Sequence, residues 1–281
     1  MALISNLRSG SGDASRAAEL LRSLGAEVRE LELGEASTDD ALEAERVVVA
    51  GGDGSVAAAA ALAHVREVPL AVIPTGTAND FARALRLPLD LEPAVRLAVA
   101  GPVTHRLDLA WVTVDERDPR PFVNAASAGL SPVAADQAGR LKQRLGSLAY
   151  SLGAVRAGLR ARPLPCEVRC GDRTVFSGSA WQVTVSCTGA FGGGAEVDAD
   201  PQDGMLDATV MEAGSRLRLI RYAYGLRAGR VEAQEGVAKC AGEGIGVETD
   251  GSTGFNVDGE LVAGATARCE IAPRAFEVVT G

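Results

Sequence analysis

Two short stretches of this 281-residue chain have the composition of ligand-binding loops. The first is Gly51-Gly52-Asp53-Gly54-Ser55. Glycines let a backbone approach a ligand closely and take positive φ, and the N–H groups that open a following helix form an anion site. Ser55 is a candidate helix cap or a partner for a phosphate oxygen. Asp53 is the informative member, because a carboxylate repels phosphate unless it holds Mg²⁺, meets a cation or accepts a hydroxyl proton. The second stretch is Pro74-Thr75-Gly76-Thr77-Ala78-Asn79-Asp80-Phe81-Ala82-Arg83. There Gly76 gives backbone access, Thr77 and Asn79 offer hydrogen bonds, and Arg83 lies one helical turn beyond Asn79. Each stretch taken alone also fits an ordinary βα turn, the second with Asn79 or Asp80 as N-cap.

The flanking pattern gives the loops their meaning. Ala2–Ser5, Glu27–Leu33, Arg46–Ala50 and Pro69–Ile73 read as strands, and the unbroken β-branched RVVVA run is what a strand buried on both faces needs. Helical patterns fall between them: one opens at Asp13 and stops at Gly25, a short one opens at Ser37 or Thr38, and others cover Ser55–His64 and Asp80–Leu85. Repeated βα units predict an open parallel sheet with helices on both faces. Both loops would leave the C-terminal ends of parallel strands and face one crevice, the place where such sheets bind ligands.

Beyond Gly101-Pro102 the character changes. Val103–Val114 and Phe122–Ser127 read as strands and Leu141–Arg160 as a helix. Short strand signals follow at Cys166–Cys170, Thr174–Ser177, Trp181–Thr188, Leu206–Met211, Gly244–Glu248, Gly254–Val257 and Ala267–Ile271, with Asp203-Gly204, Asp250-Gly251 and Asp258-Gly259 as turns between them. The expected organisation is an α/β domain over residues 1–101 and an antiparallel β domain over 102–281, with Ala275–Val279 a candidate strand returning to the first domain. There is no internal repeat.

Composition narrows the function. Net charge is −9, which argues against a nucleic-acid partner. No apolar run approaches the roughly 18 residues of a membrane span, and the N-terminal MALISNLRSGSG lacks the basic and apolar regions of a secretory signal. The expectation is a soluble, cytoplasmic protein. Its five cysteines are odd in number and without CxxC spacing, so they read as free thiols. His64 and His105 are too far apart in sequence to suggest a ligand pair.

GGDGS followed by PTGTANDFAR resembles the diacylglycerol kinase catalytic domain family, which includes bacterial lipid kinases and sphingosine kinases. The GGDG loop is shared with NAD kinases and phosphofructokinases, and the PxGTxNDxAR segment separates the lipid kinases from both. The resemblance implies an NAD kinase/phosphofructokinase-like α/β domain followed by a β-sandwich. It implies that Gly51, Gly52, Asp53, Gly54 and Ser55 hold the ATP phosphates, with Gly76, Thr77 and Asn79 also at the nucleotide. Asn6–Gly10 falls at a family phosphate loop, where Arg8 is a phosphate contact or a solvated arginine.

Two segments of the second half also match the family. Asp258-Gly259-Glu260 resembles its DGE segment, whose glutamate is taken as the general base. A carboxylate within reach of a lipid hydroxyl can accept its proton as the phosphoryl group transfers; an exposed hairpin glutamate is the alternative. The run from Asp200 to Asp207 resembles a DG-x-L-D segment that binds a structural Mg²⁺, which implies Asp203, the Met205 carbonyl and Asp200 as ligands; a plain acidic turn is the alternative. Gly192–Gly194 would shape the cleft wall. Ser215–Arg230 carries five arginines, with Leu217, Ile220, Tyr224 and Arg227–Ala228 at helical spacing. It reads either as a basic amphipathic helix touching a membrane or as a helix packed on the sandwich.

The resulting expectation is an ATP- and Mg²⁺-dependent kinase acting on a hydroxyl of diacylglycerol or a related lipid, in transient contact with a membrane surface, with Glu260 and Asp53 as its catalytic pair. A homodimer is left open. An NAD kinase-like or other small-molecule kinase is the alternative that the GGDG loop alone would support. A lipid- or nucleotide-binding protein without turnover is another. It is motivated by Val56-Ala57-Ala58, which stand after GGDGS where the family usually has x-Asn-Glu, and Leu7 likewise replaces a family proline.

Overall fold

The computed structural model describes residues 1–5, 13–32, 44–130 and 162–281. The first half is built on four parallel strands, β1 (Ala2–Ser5), β2 (Arg29–Glu32), β3 (Val47–Gly51) and β4 (Leu70–Pro74). They lie in the order β2-β1-β3-β4. In β3 every residue is buried, as two covered faces require. Side chains alternate along it: Val47 and Val49 face helix α2 (Asp53–Arg66), while Val48 and Ala50 face helices α1 (Asp13–Ser23) and α4 (Leu91–Ala100). Between β4 and α4 lies the short helix α3 (Asp80–Ala84).

The second half is an antiparallel assembly: β5 (Val103–Val114), β6 (Arg120–Phe122), β7 (Ala125–Gly129), β8 (Leu164–Cys170), β9 (Arg173–Ser186), the two-residue strands β10 (Ala190–Phe191) and β11 (Ala195–Glu196), β12 (Leu206–Glu212), helix α5 (Arg216–Arg227), β13 (Val237–Gly242), β14 (Gly244–Thr249), β15 (Phe255–Val257), β16 (Glu260–Val262) and β17 (Thr266–Val279). Its core is small and β-branched, with Val112, Val168, Val183, Val185, Val210 and Phe255 buried together.

β17 joins the halves. Ala267–Ala272 pair with β5 inside the sandwich; the register then slips, and Val278 pairs in parallel with Leu70 of β4. Phe276 thereby enters the core beneath α2, its ring 6.4 Å from that of Phe81 in α3. Residues from the end of the chain complete the core of its beginning.

Several elements differ from the sequence expectation. Helix α2 begins at Asp53 rather than Ser55, because Gly52 is its N-cap and the backbone turns helical immediately after it. The expected strand Phe122–Ser127 is two strands, broken at Val123 and Asn124, whose N–H groups bond to a side chain instead of a ladder. Thr174–Ser177 and Trp181–Thr188 are one continuous strand, β9. Helix α4 has no counterpart among the elements expected from sequence; its Pro93 sits in the first helical turn, where the missing N–H has no intrahelical partner to lose. The expected elements at Ser37 or Thr38 and Leu141–Arg160, and the loop Asn6–Gly10, lie outside the described residues. The five cysteines are free. Among the described residues no helix is long and apolar enough to cross a membrane.

Candidate active site

The two glycine loops meet. A Cβ placed on Gly76 would lie 2.5 Å from the Cα of Gly52, and one on Gly52 would lie 3.2 Å from the Cα of Gly76. No side chain fits between them, so the loops form a backbone-lined notch at the N-terminus of α2. Thr75 N–H donates to the Gly51 carbonyl at 3.0 Å and fixes their relative height. The second loop is closed by Asn79, which takes positive φ (52°). Its Oδ1 accepts from Gly76 N–H at 2.9 Å and its Nδ2 donates to the Gly76 carbonyl at 3.0 Å. Both polar atoms of Asn79 thus shape the loop, and neither caps α3. Thr77 is exposed. Ser55 is buried against Gly51 and does not cap α2, whose N-cap makes no side-chain bond.

The notch suits a phosphate chain. Backbone is bare at Gly52, Gly54 and Gly76, and the positive end of the 14-residue helix α2 points out of it. Ala57, which stands where the family usually has asparagine, is buried in the core under α2, and Ala58, at the glutamate position, is half-buried. The apolar character of Ala57 serves packing.

Asp53 opens α2, and its Oδ1 accepts two hydrogen bonds. One comes from Phe81 N–H at 2.9 Å and one from Asn124 Nδ2 at 3.0 Å. Asn124 belongs to the other half of the molecule and is 2% exposed. Its Oδ1 accepts from the Thr188 hydroxyl at 2.8 Å, which fixes the orientation of the amide. Asp53 is therefore held from both halves.

Asp258 and Gly259 make the two-residue turn between β15 and β16, both with positive φ (45° and 91°), as a tight hairpin demands. The Asp258 carboxylate accepts from the N–H groups of Val123, Asn124 and Ala125 at 2.7, 3.1 and 3.0 Å. This pins the turn to the strand break that carries Asn124. Burial pushes the Asp258 carboxyl up to about 7, and the nearby Asp53 charge adds to the effect against the three N–H donors.

Glu260, one residue beyond the turn, is exposed and reaches the first glycine loop. Its Oε1 lies 3.2 Å from where a Cβ on Gly54 would sit, and its Oε2 is 3.3 Å from an Arg120 guanidinium nitrogen. Gly54 and Glu260, distant in sequence, share one cleft.

Asp80 closes the far side. It is buried, and both its oxygens accept from Gly193 N–H, at 3.0 and 3.1 Å. The hairpin β10–β11 with Gly192–Gly194 is thus tied to the start of α3. Burial raises the Asp80 carboxyl to about 6, with a smaller push from Asp53 against the Gly193 N–H.

The acidic turn lies apart from these contacts. Asp200 Oδ1 accepts from Gln202 N–H at 3.1 Å, and Asp203 Oδ1 accepts from Met205 N–H at 2.9 Å. Buried Asp108 receives Gly204 N–H and Arg274 N–H, at 2.8 and 2.6 Å. These side chains close the turn themselves. Among the described residues no three His, Cys, Asp or Glu side chains converge as a metal site, at Asp200, Asp203 and Met205 or elsewhere.

Asn124, Thr188, Arg120 and the role of Asp80 escaped the sequence reading. Asn124 and Thr188 fall in stretches whose sequence reads as apolar strand, and Asp80 reads locally as a helix start.

Comparison with known proteins identifies the family. The model of the "Diacylglycerol kinase catalytic domain" family matches residues 1–112, and that of the "YegS C-terminal NAD kinase beta sandwich-like domain" matches residues 124–280. The chain is 28% identical over 238 residues to a diacylglycerol kinase of Mycobacterium tuberculosis (strain CDC 1551 / Oshkosh), covering 84% of this chain and 76% of that one. It is 32% identical over 239 residues to a "Probable lipid kinase YegS-like" protein of Serratia proteamaculans (strain 568), covering 82% and 75%. A crystal structure described as a diacylglycerol kinase from Bacillus anthracis str. Sterne superposes with a TM-score of 0.77 at 22% identity, covering 100% of this chain and 96% of that one, and so shares the fold. With both halves matched in order, the chain belongs to the diacylglycerol kinase family of lipid kinases, in its form with a YegS-type C-terminal sandwich.

Proposed function

We propose that this lipid kinase uses ATP, and that the acceptor is a hydroxyl of diacylglycerol or a closely related lipid. The observation that carries the reading is the approach of the Glu260 carboxylate to Gly54, at the mouth of a bare-backbone notch. A phosphate chain seated on that notch would lie beside a carboxylate able to take the acceptor's proton. The name of the M. tuberculosis relative supports diacylglycerol as acceptor.

The residues divide the work. The N–H groups at the start of α2, with the backbone of Gly52 and Gly76, receive phosphate oxygens. When bound, ATP supplies the phosphoryl group and its Mg²⁺ counter-ion offsets the charge that develops on it. Asp53, fixed by Phe81 N–H and Asn124, holds one carboxylate edge at the notch; among the described residues its Oδ2 accepts no hydrogen bond. Glu260 orients the lipid hydroxyl and accepts its proton, and Arg120 holds the glutamate's second oxygen. The Asp80–Gly193 tie keeps the cleft walls in register, so positioning carries much of the rate.

The test is mass spectrometry of lipid extracts incubated with the protein, Mg²⁺ and ATP, alongside NAD and fructose 6-phosphate as acceptors. A phosphorylated lipid with neither small molecule modified is the expected result. Phosphorylation of NAD or of the sugar instead, or ATP binding without any product, overturns the proposal.

A further inference from the structure

Helix α5 packs on the sandwich through Leu219, Tyr222 and Gly225, which are buried. The Tyr222 hydroxyl donates to the Gly236 carbonyl at 2.9 Å, and Ser215 caps the helix by accepting from Arg218 N–H. The apolar residues that the sequence reading grouped at helical spacing, Leu217, Ile220 and Tyr224, lie on the opposite side. They are 73%, 65% and 77% exposed, and with Val65 they are the four most exposed large apolar side chains among the described residues. By the 3.6-residue period they form one continuous stripe, with Arg216 and Arg227 along one border and Arg221 along the other.

We propose that this outer face of α5 docks the protein on an anionic lipid bilayer. Two observations select a bilayer over another occupant. The chain carries a net charge of −9, yet Ser215–Arg230 holds five arginines and no carboxylate. An anionic surface is therefore repelled by the rest of the molecule and attracted here, which fixes orientation. The order of groups across the face, arginine, apolar stripe, arginine, matches a helix lying in the interfacial plane, with leucine, isoleucine and tyrosine among the acyl chains and guanidinium groups at the headgroups. A second copy of this chain would bring arginine rows against arginine rows.

The same helix is coupled to the cleft. Leu219 and Tyr222 share a buried cluster with Phe191 of the glycine hairpin, Trp181, and Ala125, the neighbour of Asn124. Arg216 stacks 5.3 Å above the Trp181 ring. The hairpin is in turn bonded to Asp80 through Gly193. Docking would thus set the cleft at the membrane surface where a lipid acceptor resides, an inference that rests on the lipid kinase reading for its purpose but not for its test.

The test is sedimentation with vesicles of phosphatidylcholine alone or mixed with phosphatidylglycerol, with no nucleotide present. The wild-type chain should bind the mixed vesicles and stay in solution with phosphatidylcholine alone. The triple variant Leu217→Ser/Ile220→Ser/Tyr224→Ser should bind mixed vesicles about a hundredfold more weakly. Arg221→Gln/Arg227→Gln, which leaves the apolar stripe and the buried face intact, should bind about tenfold more weakly and lose part of its salt dependence. Unchanged thermal midpoints would show that both variants fold. Wild-type protein left in the supernatant, variants that bind as tightly as wild type, or a wild-type dimer that the triple variant dissociates would each overturn the proposal. Phosphorylation of a dispersed short-chain diacylglycerol by the wild type, without vesicles, reads the kinase proposal separately.

Discussion

Asn124, from the sandwich half, places its side-chain amide 3.0 Å from the Asp53 carboxylate at the start of α2. The amide is itself fixed by Thr188, and its backbone N–H by Asp258. One buried residue thereby joins the glycine loop, the hairpin of Glu260 and the central strands of the sandwich.

Replacing Asn124 tests that junction. Asn124→Ala leaves the Thr188 hydroxyl without its acceptor and Asp53 with a single donor, and should cost about 1–3 kcal/mol of stability. The rate constant for phosphoryl transfer should fall by about tenfold to a hundredfold with KM for ATP little changed, because Asp53 loses its orientation while the notch remains. Asn124→Asp should be worse than Asn124→Ala, since it sets a second carboxylate against Asp53. Urea denaturation and steady-state kinetics on the three proteins provide the check.

The contact between the glycine loops makes a different prediction. In Gly76→Ala the new methyl would lie 2.5 Å from the Gly52 Cα and 2.7 Å from Asn79 Oδ1, so the loops must part. Affinity for nucleotide, measured by calorimetric titration, should drop by about tenfold or more, and stability by roughly 1–3 kcal/mol. Unchanged affinity would mean that the notch does not receive the phosphates.

The buried carboxyls set the pH dependence of stability. Asp80 and Asp258 bind protons more tightly in the folded chain, to about 6 and about 7, than at the ordinary value of 3.8. Folding therefore takes up protons between these limits. The contribution of these two groups is most favourable at acid pH, diminishes as pH rises from 3.8 through 6 and 7, and is level above that. In Asp80→Asn the decline should flatten by up to about 1.4 kcal/mol per pH unit over the range in which Asp80 titrates. Urea midpoints across a pH series would show it, and parallel curves for variant and wild type would contradict it.

Local chemistry was legible in the sequence where it depends on neighbours along the chain. The GGDGS and PTGTAND stretches, the RVVVA strand and the Asp258-Gly259 turn each announce their geometry through residues whose φ preferences or burial are local. What joins them was not legible. Asn124 interrupts a strand pattern without a turn residue to mark it, and its partners Asp53, Thr188 and Asp258 come from three other parts of the chain. Asn79 reads as a nucleotide contact or a cap, yet the structure uses it to close its own loop. The apolar stripe of α5 was found by its period, but periodicity does not say which of two apolar faces the fold covers; the buried face is Leu219, Tyr222 and Gly225. Pro93 of α4 shows the converse, a helix breaker without effect at the one helical turn that tolerates it.

The most direct test of the central claim, that Glu260 and the glycine loops serve one phosphoryl transfer, is the turnover of Glu260→Gln. Glu260 is exposed and, among the described residues, bridged only to half-exposed Arg120, so the substitution should leave folding and nucleotide affinity intact. Lipid phosphorylation should fall by about a hundredfold to ten-thousandfold. Wild-type turnover in this variant, with the protein folded and ATP bound, would contradict the account.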